Sequence, residues 1–217
     1  MKSKSPPEDQ SRPALAGLYA ILDLSGDSPT EVSNLLELAR ELLAGGAKWF
    51  QLRAKKAPAD KTLQLARELV ILCNASKAKL IINDRMDIAL AARAHGVHLG
   101  QTDLPAENAR QLAPPRFLIG LSTHSSQQVQ ASTTRPIDYI GFGPIFPTAS
   151  KADAESAKGI ERLREVRSLT ERPIVAIGGI ELARVPEIFA TGANAVAMIG
   201  ALQRAKDPRG FPKLVAP

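Results

Sequence analysis

Gln51, Arg53 and Lys55 alternate with Leu52 and Ala54. A spacing of two turns all three polar side chains to one face of an extended segment. Two cations on one face gain little from packing. They suit a phosphate or diphosphate, which arginine can grip with two parallel hydrogen bonds. The bland alternative is a solvated loop with two surface charges. Further along, Asp84 and Asp103 supply two carboxylates. Mg²⁺ is commonly held by one or two carboxylates together with waters and substrate phosphates. The competing role is helix capping, by Asp84 before Met86 and by Asp103 before the segment after Pro105. Asn83 can hydrogen-bond a heteroaromatic ring or a phosphate oxygen, and Ser122 can donate to a phosphate. His124 reads either as a general acid or base or as a rim histidine bonded to backbone.

The run Gly141-Phe-Gly-Pro-Ile-Phe-Pro-Thr-Ala-Ser-Lys151 is the most specific stretch of the chain. Its glycines and prolines fix an unusual backbone course. Thr148, Ser150 and Lys151 then offer two hydroxyls and a cation. Residues 149–158 are small or charged, as in a mobile lid. Ile-Gly-Gly-Ile at 177–180 and Met-Ile-Gly at 198–200 leave Gly179, Ile199 and Gly200 with accessible backbone amides, either for a phosphate or as ordinary tight turns.

Elements that could bring these residues together alternate along the chain. Short apolar runs fall at 17–22, 49–52, 80–82, 97–99, 117–121, 139–142, 174–177 and 195–199. Segments of helical period follow them, at 30–44, 59–74, 86–94, 106–112, 126–131, 159–168, 182–190 and 201–205. Ser28, Thr30 and Asp60 stand where helix caps are expected, and Gly45-Gly46 ends the first helix. Pro186 belongs in the first turn of the seventh helix, which then begins near Arg184. Gly96, Gly120 and Gly192 suit tight turns into strands. The pattern predicts an α/β, single-domain (β/α)₈ barrel over 15–206 with a shortened C-terminal helix. Residues 1–14 read as a disordered tail and 207–217 as an irregular one. Inner strand residues are expected to be apolar and branched, with the polar residues named above at the strands' C-terminal ends. His95 then lies at the opposite end, and His98 reads as packing.

Composition agrees. The hydrophobic fraction is 44% and aromatics are only 4%, which suits helices packed on a parallel sheet. A net charge of +6 is spread along the chain, without the basic run or aromatic-interleaved loops that nucleic-acid binding wants. It suits small anionic substrates equally well. No stretch approaches the roughly 18 unbroken apolar residues of a membrane span, and no signal peptide is evident, so the cytoplasm is expected. A homo-oligomer is compatible with everything in the sequence. The lone Cys73 sits in an apolar helical stripe and reads as core.

Q-L-R-A-K at 51–55, N-D at 83–84, V-H-L-G-Q-T-D at 97–103, G-L-S-T-H at 120–124, the run 141–151 and A-I-G-G-I at 176–180 resemble, in this order, the thiamine phosphate synthase family. The resemblance implies coupling of 4-amino-5-hydroxymethyl-2-methylpyrimidine diphosphate to a thiazole phosphate, in its plain or its carboxylated form, with release of pyrophosphate. It implies that Gln51, Leu52, Arg53, Ala54, Lys55 and Asn83 hold the pyrimidine diphosphate. It implies further that Asp84 and Asp103 bind Mg²⁺, that Ser122 and Lys151 contact the diphosphate, and that Thr148, Ala149, Ser150, Gly179, Ile199 and Gly200 hold the thiazole phosphate. Arg53, Lys55, Ser122 and Lys151 are the residues implied to assist the chemistry.

Three features depart from the family pattern. Ser150 stands for a usual Thr, Gly200 for a frequent Ser, and the last helix is short. A thiazole tautomerase of the same superfamily shares a histidine after the fifth strand but handles one phosphate. A non-catalytic phosphate-ligand-binding barrel would have no use for two acidic rim residues.

Overall fold

The structure, a computed structural model, describes residues 14–148 and 156–217. The strands are β1 Gly17–Asp23, β2 Trp49–Arg53, β3 Lys79–Asn83, β4 Gly96–Leu99, β5 Leu118–Thr123, β6 Tyr139–Phe142, β7 Ile174–Ile177 and β8 Ala195–Met198. Between them lie α1 Pro29–Ala44, α2 Ala59–Ala75, α3 Met86–Ala91, α4 Ala106–Leu112, α5 Ser126–Ser132, α6 Gly159–Arg167 and α7 Val185–Phe189. Two short helices, α8 Gly200–Gln203 and α9 Phe211–Leu214, follow β8. Each strand pairs in parallel with the next, and β8 pairs with β1, so the sheet closes as a (β/α)₈ barrel.

Strand alternation separates two cores. In β1, Leu18, Ala20 and Leu22 face the helices, whereas Tyr19 and Ile21 face the interior. In β3, Ile81 faces inward between the outward Leu80 and Ile82. The outer core is the larger, and α1 and α2 seal it with Leu35, Leu36, Leu42, Leu65 and Leu69. These recur at helical spacing, so one stripe of each helix is removed from water, which is the main source of helix stability here. Cys73 lies on the α2 stripe, and burial pushes its thiol up to about 12.

The interior departs from the apolar, branched filling expected. Alongside Ile21, Ile81 and Val175 it holds Tyr19, Trp49 and Tyr139, with Gln51 bonded among them. Gly120 answers for part of this. It lies inside β5, not in a turn, and a Cβ there would stand 2.2 Å from Tyr139 and 2.5 Å from His98. Its missing side chain is the room those two rings occupy.

Other boundaries shift for local reasons. The third helix stops at Ala91, short of the expected 94, because Arg93 takes a positive φ of 56°. Asp60 falls in the first turn of α2, whose N-cap is Pro58, and Ser28 occupies the N-cap of α1 without a side-chain bond. Pro186 does sit in the first turn of α7, after a 3₁₀ turn at Leu182–Arg184. The segment after residue 207 is not wholly irregular: α9 buries Phe211, and Val215 beside it is buried too. The disordered tail expected before Ala14 lies outside the described residues. Among the described residues, no helix is long and apolar enough to cross a membrane.

Candidate active site

A cavity of about 610 Å³ opens at the C-terminal ends of the strands. Arg53, Lys55, Asn83, Asp84, Asp103, Ser122, His124, Thr148, Gly179, Ile199 and Gly200 all line it. Residues from the ends of seven strands, far apart in sequence, therefore share one mouth, where the fold places its catalytic groups.

On the β2 side, Arg53 Nη1 donates to Asp23 Oδ1 at 2.5 Å, and the two side chains are only 13% and 18% exposed. Asp23 closes β1, and the register places it beside Arg53. Arg53 is thus held by a largely desolvated partner, which fixes the direction of the guanidinium. Its Nε is buried without a hydrogen-bond partner, a donor left over for an anionic ligand. Gln51 shares the parity of Arg53 but not its depth. It is buried one pair lower, donates to the Tyr19 hydroxyl at 3.2 Å, and does not line the cavity. Leu52 points into the outer core and Ala54 packs against it, so neither side chain reaches the mouth.

Neither aspartate is a helix cap. Arg85 is the N-cap of α3 and Pro105 that of α4, and at neither helix start does a backbone N–H donate to a capping side chain. Asp84 instead occupies the left-handed region at φ 62°. Non-glycine residues rarely do so, Asp and Asn least unwillingly, and the cost of about 1–3 kcal/mol is tolerated where it aims a functional group. Here the turn ties Asp84 N–H to His98 O at 2.8 Å and places the carboxylate 3.7 Å from Lys55 Nζ. Asp103 Oδ2 accepts from Gly100 N–H at 2.6 Å, closing the loop after β4. Two cavity-lining carboxylates, one on strained backbone, fit Mg²⁺ completed by water and phosphate oxygens. No group of three or more acidic, histidine or cysteine ligands occurs among the described residues, so an all-protein cage for a softer metal is not offered there.

Ser122 connects to the interior. Its Oγ lies 2.9 Å from His98 Nε2, and His98 Nδ1 lies 3.2 Å from the Tyr139 hydroxyl. Tyr139 and Tyr19 hydroxyls are 2.8 Å apart, and Gln51 bonds Tyr19. Burial pushes both phenols well above their ordinary range, so they remain protonated donors. One consistent direction runs from the Gln51 amide through both phenols and His98 to Ser122, leaving the serine proton for an acceptor in the cavity. His98 is thus buried, as expected, but it is also the link between this chain and the mouth. Gln101 Nε2 donates to Ser122 O at 2.6 Å, a second hold on the same residue. His124 Nδ1 lies 2.7 Å from the Gly143 carbonyl, which can only accept, so Nδ1 carries the proton. That bond is the backbone contact the rim reading expects, and it leaves Nε2 for either role.

Beyond the Gly143–Pro144 peptide, which is cis, the loop after β6 lies on the turn after β7. Ile145 N–H donates to Ile177 O at 2.9 Å and Phe146 N–H to Gly178 O at 3.0 Å. Gly178 and Gly179 both have positive φ, and a Cβ on Gly179 would meet Pro147 O at 2.4 Å. Only glycine allows this approach. Arg184 stacks on Phe146 at 3.8 Å and backs the loop from outside. Ala149, Ser150 and Lys151, with most of the expected lid, lie outside the described residues.

Asp23, which holds Arg53, and Arg204, which lines the cavity, are residues that the sequence reading passed over. Asp23 was detectable as a charge ending an apolar strand. Arg204 carried no such signal.

A family model described as thiamine monophosphate synthase matches residues 18–202. The chain belongs to this family. The thiamine-phosphate synthase of Methanocella arvoryzae is 46% identical over 171 residues, 79% of this chain and 81% of that protein. That of Methanospirillum hungatei is 42% identical over 186 residues, 86% and 89% of the two chains. Among solved structures, thiamine phosphate pyrophosphorylase from Pyrococcus furiosus superposes with a TM-score of 0.80 at 33% identity, covering 93% of this chain and 94% of that one. As a thiamine monophosphate synthase family member the chain is an enzyme, a transferase of thiamine biosynthesis.

Proposed function

We propose that the chain joins 4-amino-5-hydroxymethyl-2-methylpyrimidine diphosphate to the ring nitrogen of 4-methyl-5-(2-phosphoethyl)thiazole, giving thiamine phosphate and pyrophosphate. The observation that carries this reading is the division of one cavity into two chemically different ends. Arg53, Lys55, Asn83, Asp84, Asp103 and Ser122 stand on the β2–β5 side. Gly179, Ile199 and Gly200 stand on the β7–β8 side, with Thr148 between them on the β6 loop. The first end suits a diphosphate that departs; the second suits a phosphate that only anchors.

Asp84 and Asp103 would hold Mg²⁺, which supplies charge neutralisation of the leaving diphosphate. Arg53, Lys55 and Ser122 donate to the same group, and Lys151 joins them on the strength of the family motif. Asp23 holds Arg53, and His98 and Gln101 hold Ser122, before reaction, so these donors would stabilise negative charge as it develops. The carbon–oxygen bond to the diphosphate breaks first, and the electron pair leaves with the diphosphate. The aminopyrimidine delocalises the resulting cation on its methylene carbon. The thiazole nitrogen lone pair then forms the carbon–nitrogen bond, and the positive charge ends on the thiazolium. No protein nucleophile is needed.

The test is pyrophosphate release with and without the thiazole phosphate. Release that depends on both substrates supports the reading. Equal release from the pyrimidine diphosphate alone would make the chain a diphosphatase.

A further inference from the structure

We infer that Arg204 is a further binding residue, giving its guanidinium to the phosphate of the second substrate. The inference rests on the synthase reading above and adds a residue to its anchoring end. Arg204 follows α8 and lies four residues after Gly200, about one helical turn on. Both line the cavity. Gly200 brings no side chain, so only backbone is offered at that position. Arg204 Nη2 donates to Glu181 Oε1 at 2.7 Å, and Glu181 belongs to the turn after β7 that carries Gly179. The guanidinium is therefore stretched over the gap between the β7 and β8 turns, where the phosphate is proposed to sit. Among the described cavity-lining residues, the other Arg and Lys side chains are Arg53 and Lys55 on the β2 side. They are engaged by Asp23 and Asp84.

The Glu181 pair is a holding contact and not a lock. Its side chains are 65% and 62% exposed, and exposed ion pairs contribute little. A phosphate monoester carries nearly two negative charges and three acceptor oxygens. It matches the planar fork of arginine, so exchange of carboxylate for phosphate is favourable.

The experiment measures steady-state KM for each substrate in wild type, Arg204→Ala and Glu181→Gln. The thiazole is supplied both as its phosphate and as the unphosphorylated alcohol. Arg204→Ala should raise KM for the thiazole phosphate about tenfold and leave KM for the diphosphate within about twofold, the loss of one charged hydrogen bond at one end. With the alcohol the variant should show no added loss. Glu181→Gln should leave KM for the thiazole phosphate unchanged or lower it, because it frees Arg204. An unaltered KM in Arg204→Ala overturns the assignment. So does an equal loss with the alcohol, or an equal rise in both variants, which would mean that the pair only braces the loops. A wild type that fails to couple the substrates refutes the synthase reading itself, a distinct outcome.

Discussion

Lys55 Nζ and the Asp84 carboxylate face one another at 3.7 Å across the ends of β2 and β3. The pair balances charge at the cavity mouth. In the proposed reaction a diphosphate would give the ammonium an anion to meet, and Mg²⁺ would give the carboxylate a cation. Asp84 holds this position on backbone in the left-handed region, at φ 62°.

Replacing Asp84 by Ala should therefore lower turnover by about a hundredfold or more, with the fold intact. Initial rates across a Mg²⁺ titration, with circular dichroism as the control, check this. A variant with wild-type rates at every Mg²⁺ concentration would show that Asp84 holds no metal.

Asp23→Ala should act through Arg53. It leaves a largely buried guanidinium without its partner, so a loss of about 1–3 kcal/mol in stability is expected. The KM for the diphosphate should rise as the guanidinium loses its direction. Urea unfolding and steady-state kinetics on the same preparation separate the two effects, and Arg53→Lys should not restore affinity because an ammonium lacks the fork.

Tyr139→Phe removes the hydroxyl between Tyr19 and His98. Two buried groups then lose a partner, and stability should fall by about 1–3 kcal/mol. His98 loses the bond that orients it toward Ser122, so kcat should fall as well. Unchanged kcat alongside reduced stability would confine the chain of hydroxyls to a packing role.

His95 predicts an acid-side loss of stability. Burial, and then the charge of Lys79, push its imidazole down to about 4 from 6.5. Nδ1 accepts from Leu80 N–H, and Nε2 lies 2.9 Å from Asn74 Oδ1, so the folded ring is neutral. Between those two values the unfolded chain binds the extra proton, so stability rises with pH there. The contribution is fully present above 6.5 and is lost as pH falls toward 4. About 1–2 kcal/mol is expected, since solvent screens a partly exposed ring. His95→Gln should flatten this part of the pH profile of unfolding free energy; a slope identical to wild type would place the titration elsewhere.

The barrel was legible because its strands are short apolar runs between amphipathic stripes, and the rim residues were legible because charge at a strand's end breaks that pattern. Depth was not. Gln51 and Arg53 share a face, yet β2 ends at Arg53, so the strand's length sends Gln51 to the interior and Arg53 to the mouth. The inner chain of Tyr19, Tyr139 and His98 escaped notice because its members lie on three strands, joined only by closure of the sheet. Asp84 and Asp103 read equally well as caps until the backbone placed other residues at the helix starts. Arg204 follows a helix of only four residues, too short to show a periodic face.

The most direct measurement is product formation by the purified chain. With both substrates and Mg²⁺, thiamine phosphate and pyrophosphate should appear in equal amounts, and chelation of the metal should stop both. Pyrophosphate without thiamine phosphate, or coupling indifferent to chelation, would contradict the two-ended, metal-assisted site described above.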